Sequence, residues 1–176
     1  MKNSLLLILL SIIIPLNSGC DSSALDSYSS YKYDLNLYFL NKQGEDRVVG
    51  IPTENAKPQE TVKIAREAYT WRLISGDGGE NKLFTSPLTL HKQDGFQALH
   101  IPISTTSSQQ YRPTVVEYTL VCPHIFGDEQ EHTLISYWER QGSYNNQCLY
   151  ITLDDKRFES TQSKGNWCYE AVVVLD

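Results

Sequence analysis

Apolar residues in this chain recur at every second position, in short runs cut by turn-forming clusters. That alternation constrains the fold more than any other feature. In Asp34-Leu35-Asn36-Leu37-Tyr38-Phe39-Leu40, the side chains of Leu35, Leu37 and Phe39 share one face. Successive side chains of an extended strand point to opposite sides, so the pattern makes a half-buried strand and a poor helix. The same period returns at residues 96–104, with Phe96, Ala98 and His100 on one face and Leu99, Ile101 and Ile103 on the other. It returns again at 115–122, 132–139, 148–153 and 167–175. Turn chemistry separates the runs: residues 41–46 with Gly44, the Ser75-Gly76-Asp77-Gly78-Gly79 loop, residues 104–110, and Asp154-Asp155-Lys156.

Other segments carry weaker patterns. Residues 48–51 predict a short second strand, stopped by Pro52. Residues 61–74 predict a strand with a register break near 65–67; a helix is the alternative, because Val62, Ala65 and Tyr69 fall on one helical stripe. Pro87 demotes residues 83–92 to an edge or a bulge, and residues 157–159 predict a short return strand. No amphipathic run is long enough to predict a helix with confidence from its period. Many short strands at turn-marked intervals point to an all-β fold: a single antiparallel β-sandwich, immunoglobulin-like, over residues 33–176. A closed β-barrel is the alternative.

The N-terminus has a different character. Lys2 precedes an apolar run from Leu5 to Leu16, broken in polarity by Ser11. A spanning helix needs roughly 20 apolar residues, so a run of this length behind a positive head reads as a secretory signal. It ends in Leu16-Asn17-Ser18-Gly19-Cys20. Ser18-Gly19-Cys20 resembles the lipobox of bacterial lipoproteins, although Asn17 stands where a leucine is commoner. The resemblance implies cleavage after residue 19 and acylation of Cys20, whose thiol then carries the lipid and leaves the redox arithmetic. Each buried methylene contributes about 0.8 kcal/mol, so two or three chains hold a protein to a membrane where one does not. Asp21 follows Cys20. In lipoproteins an acidic residue there resembles either an inner-membrane retention signal or a surface-export signal, and the choice stays open. Residues 20–32 are rich in serine and tyrosine and read as anchor and flexible tether.

Beyond the lipobox, the stretch from Asp34 to Ile51, with its alternating strand and Gly44-Glu45-Asp46 turn, resembles uncharacterised Bacteroides-type envelope lipoproteins. The HIFGDEQEHTLISYW and QCLYITLDDKRF stretches resemble the same kind of sandwich. The resemblance implies a cell-envelope location and a β-sandwich, and transfers no catalytic residues.

Composition narrows the partners. With 15 basic against 21 acidic residues and a net charge of −6, the chain does not concentrate on phosphate backbones, and nucleic acid is not an expected partner. Cys122, Cys148 and Cys168 remain once Cys20 is acylated. Counting strand reversals brings the last strand back to the Cys122 end, so the expected bridge is Cys122–Cys168, with Cys148 free and buried. Three reduced thiols, packed as small apolar side chains, are the alternative. His124 and His132 flank Asp128-Glu129-Gln130-Glu131, but the spacing has no ligand geometry behind it; neither a metal nor any other cofactor is expected.

No nucleophile elbow, P-loop or dinucleotide fingerprint occurs, so no catalytic residues are assigned and the chain is read as a non-enzyme. Rings beside amides, at Tyr144-Asn145-Asn146 and at Trp167, suit a sugar or a protein surface. Trp71 and Trp138 fall on strand positions and read as core, and core or strand-end packing is the plainer reading of Trp167 too. The expected function is a lipid-anchored envelope module that binds or scaffolds a glycan or an envelope protein. An envelope hydrolase acting on glycan or peptide is the alternative.

Overall fold

The computed structural model describes residues 32–54, 61–76, 83–93, 95–105, 113–142, 145–163 and 168–176. The predicted signal segment, Cys20, the tether up to residue 31, Tyr144 and Trp167 lie outside the described residues. Eleven strands carry almost all the regular structure: β1 (Leu35–Leu40), β2 (Thr70–Gly76), β3 (Leu83–Thr85), β4 (Thr89–Gln93), β5 (Phe96–Ile101), β6 (Ile103–Thr105), β7 (Val115–Val121), β8 (His132–Gln141), β9 (Asn145–Leu153), β10 (Lys156–Gln162) and β11 (Tyr169–Val174). A 3-10 turn, Arg66–Ala68, precedes β2, and a single helical turn, α1 (Pro123–Phe126), joins β7 to β8. Among the described residues no helix is long and apolar enough to cross a membrane.

The all-β expectation holds at this level. Nine strands form one sheet in the order β2-β7-β8-β9-β10-β11-β1-β5-β4, and the sheet curls into a half-barrel. Strands β3 and β6 pair separately. The hydrogen bonding therefore joins into one surface what the immunoglobulin-like expectation divided between two sheets. The pairing is also not wholly antiparallel, because β1 and β11 run parallel, with Leu35 beside Tyr169 and Leu40 beside Val174. Hairpins cannot make a parallel pair, which needs a long return path; here everything between β1 and β11 supplies it.

Residues 61–69 span the seam between the two sheet edges. On the β4 edge, Lys63 bridges Thr89, Leu90 N–H donates to Val62 O at 2.8 Å, and Ile64 N–H donates to Leu88 O at 3.1 Å. The chain then turns at Arg66–Ala68 and enters β2, the opposite edge. Leu88 N–H also donates to the Tyr69 hydroxyl at 3.1 Å, close to where β2 begins. Unpaired edge groups that would otherwise template association are in this way partly used. The register break expected near residues 65–67 falls on the 3-10 turn. The strand expected at 48–51 is a turn instead, because Asp46 accepts Val48 N–H at 2.8 Å and Gln97 N–H at 2.7 Å. Side-chain acceptors of this kind compete with a ladder for backbone donors.

Inside the curl, β1 contributes Leu35, Leu37 and Phe39, each fully buried, as their parity requires. Trp138 fills one end, edge-on to Tyr33 at 5.0 Å and to Tyr169 at 5.7 Å, with its Nε1–H donated to Ser136 Oγ at 2.8 Å. Trp71 packs on Tyr118 at 4.5 Å. Phe126 closes the other end, edge-on to Phe39 at 5.7 Å and stacked on His132 at 3.8 Å.

The β9–β10 hairpin turns on Asp154 and Asp155, at φ 46° and 68°. Two left-handed residues give the backbone twist that a two-residue hairpin needs, but neither is the glycine that adopts it without strain. The Asp154 carboxylate compensates locally. It accepts Thr133 N–H at 2.8 Å and faces His132 Nδ1 at 2.6 Å, while His132 Nε2 faces Asp128 Oδ1 at 3.1 Å.

All three described cysteines are buried free thiols, so the expected Cys122–Cys168 bridge is not formed. Strand direction gives the reason. The return strand β10 runs seven residues rather than three, back down the sheet, so β11 starts at the end opposite to Cys122. Cys168 lies near the Trp138–Tyr169 end, whereas Cys122 precedes α1 at the Phe126 end. Burial pushes the Cys148 thiol up to about 11, and burial, with the nearby Asp34 and Glu170 charges, pushes Cys168 up to about 12. Thiolate is the reactive form, so at pH 8 both are expected to alkylate at least about a hundredfold more slowly than a free cysteine, Cys168 the more slowly of the two. Iodoacetamide labelling followed by mass spectrometry, in native buffer and in guanidinium, measures the ratio.

Candidate functional site

Parity that sends Leu35, Leu37 and Phe39 inward sends Asp34, Asn36, Tyr38 and Leu40 to the outer face. Neighbouring strands repeat this in register. Asn36 stands beside His100 of β5 and Glu170 of β11, and His100 beside Thr89 of β4. One row across four strands thus reads Glu170, Asn36, His100, Thr89.

At the Asp34 end of this face lies a cavity of about 360 Å³, lined by Asp34, Asn36, Thr89, His91, His100 and Cys168 among others. Lys32 and Thr61 complete its rim. Asn36, only 2% exposed, places its Oδ1 at 2.9 Å from His100 Nδ1. An amide oxygen only accepts, so Nδ1 carries the proton and Nε2 keeps a free lone pair. Burial lowers the His100 pKa, helped by His91 and Lys32 and opposed by Asp34, so the imidazole is neutral at pH 7. Burial raises the Asp34 carboxyl, against the pull of His100, Ile103 N–H and Lys32. Cys168 Sγ donates to Asp34 O at 3.4 Å and stays protonated. The cavity therefore offers a neutral acceptor, hydroxyls and a half-buried carboxyl, and its thiol is held protonated.

Along the same face, towards Leu40, lies an apolar groove of about 210 Å³ lined by Tyr38, Leu40, Gln93, Phe96, Glu170 and Val172. Phe96, Val172 and Val174 are 42%, 50% and 39% exposed. Asn36 of the cavity and Glu170 of the groove stand side by side in the β1–β11 register.

The residues singled out from sequence fall elsewhere. Asn145 opens β9 opposite Gln141, and Asn146 stands opposite Arg140, at the far end of the β8–β9 hairpin. Nothing brings them to the outer face of β1. His124 Nε2 meets Val49 O at 3.0 Å, and His132 is held between two aspartates, so these histidines do not converge. Among the described residues no group of three His, Cys, Asp or Glu side chains is arranged to hold a metal ion.

Asn36, His91, His100 and Glu170 were not assigned from sequence. A usable signal existed: Asp94-Gly95 is a strong two-residue hairpin pair, and Gly95 adopts φ 88°. Folding the alternation back about that turn puts 89, 91 and 93 on one face with 96, 98 and 100. The contribution of β11 carried no comparable signal, since it reaches β1 by a non-local parallel pairing. Compared with protein-family models, curated proteins and solved structures, the chain matches none.

Proposed function

We propose that this chain is a lipid-anchored bacterial cell-envelope protein that binds a glycan or an envelope protein on the outer face of β4, β5, β1 and β11, without transforming it. The observation that carries the binding reading is the presence, on one sheet face, of an exposed apolar groove and a polar cavity whose only described thiol is held protonated. Exposed apolar surface flanked by polar groups is a mark of recognition sites. The anchor rests on Ser18-Gly19-Cys20 behind an apolar run, resembling a lipobox. A sandwich-like packing belongs to the same reading, since a sheet curled this far presses one face against itself around Phe39 and Trp138.

In the native host, wild-type protein is expected to partition with membranes and Cys20→Ala with the soluble fraction. A membrane-bound Cys20→Ala protein would overturn the anchor. Envelope glycans and peptides incubated with the chain are expected to bind and to be recovered unchanged by mass spectrometry. One observation favours the hydrolase instead: a carboxyl raised by burial, Asp34, shares a cavity with a neutral imidazole, His100. Product formation that Asp34→Asn abolishes would decide for it.

A further inference from the structure

Among the described residues, Glu170 holds the only carboxylate in the groove's lining. Its Oε1 is enclosed by protein, and no described residue donates a hydrogen bond to it. A carboxylate oxygen shut away from water without a donor costs free energy, so the half-buried Glu170 side chain gains by turning its carboxylate to a cationic donor in the groove. Around it stand two aromatic rings, Tyr38 and Phe96, and two aliphatic side chains, Leu40 and Val172. Rings and a carboxylate together favour a cation on an apolar stem. At about 210 Å³ the groove is smaller than a typical whole-ligand pocket and suits one side chain. The chain's own charge, −6, agrees with a basic partner.

From these observations we propose that the groove takes one primary alkylammonium group, the side chain of a lysine on a partner polypeptide. The ammonium sits on the Glu170 carboxylate, and its methylene stem lies along Tyr38, Leu40, Val172 and Phe96. Val174, exposed further along the same strand face, gives the flanking polypeptide a place to rest. The inference rests on the binding reading for this face and is independent of the anchor at Cys20.

The test is saturation-transfer NMR on the purified full chain, with Nα-acetyl-lysine amide as probe. Nα-acetyl-norleucine amide serves as the uncharged match and n-butylammonium as the free amine. Lysine amide is expected to bind at least tenfold more tightly than norleucine amide. Glu170→Gln is expected to erase that preference, and Phe96→Ala, at an exposed wall, to weaken both probes while the fold is kept. Equal binding of norleucine and lysine amides would overturn the cation site yet leave the face a binding surface. A lysine preference that survives Glu170→Gln would overturn the role of Glu170. Tighter binding of n-butylammonium than of lysine amide would overturn the polypeptide source.

Discussion

Trp138→Ala is expected to cost about 3–5 kcal/mol of folding stability, the range seen for large-to-small changes in a closed core. Three losses combine. The indole is 4% exposed and bridges Tyr33 and Tyr169, residues at the edges of the β1 and β11 pairing. Its removal leaves a void where the curl is tightest. Ser136, fully buried, also loses the Nε1–H that its Oγ accepts and keeps its longer donation to Val116 O, at 3.4 Å. Domains of this size shift by about 2–4 °C per kcal/mol, so the midpoint should fall by roughly 6–20 °C. Trp138→Phe keeps an aromatic ring but neither the full volume nor the donor, and should fall between the two. Thermal melts followed by far-UV circular dichroism measure all three proteins; a shift of under 2 °C for Trp138→Ala would show that the core does not depend on this ring.

The second large effect is pH-dependent and sits at the other end of the molecule. Burial works against charging His132, but the hydrogen bonds and charges of Asp154 and Asp128 outweigh it, and the pKa is raised. A histidine whose folded pKa exceeds its unfolded value stabilises fully below the unfolded pKa, and the contribution disappears as pH rises through the folded one. Wild type minus His132→Gln should therefore be larger at pH 5.5 than at pH 8.5. Asp154→Ala removes the imidazolium partner, the acceptor for Thr133 N–H and a residue type tolerant of positive φ. It should cost about 1–2 kcal/mol at pH 6, discounted for the exposure of the carboxylate, and less at pH 8.5. Urea melts of the three proteins at both pH values give the comparison. Equal losses at the two pH values would mean that the imidazolium contributes nothing.

Local pattern foretold local structure well. Leu35, Leu37 and Phe39 point inward as their spacing requires, and the break near residues 65–67 is a real turn. What escaped was everything that depends on distant partners. Residues 48–51 look like a strand, but the Asp46 carboxylate takes their donor and one from Gln97, on a strand far along the chain. The disulfide expectation failed on strand direction, because the return strand expected at 157–159 runs on to Gln162. The candidate site was half readable. His100 shares a face with Phe96 by parity alone, whereas Glu170 reaches Asn36 through a pairing that spans nearly the whole domain. Amides and rings at 144–146 drew attention by composition, which carries no information about which strands become neighbours.

The earliest described strand is wedged between β5 and the latest one. Synthesis therefore cannot finish the structure progressively. A nascent chain stalled anywhere before residue 169 leaves Leu35, Leu37 and Phe39 with one flank open to water, and the interior has no wall on that side. Closure of this side is in this sense withheld until β11 arrives. A polypeptide that stays loose until then is also one that can still be threaded through a narrow passage.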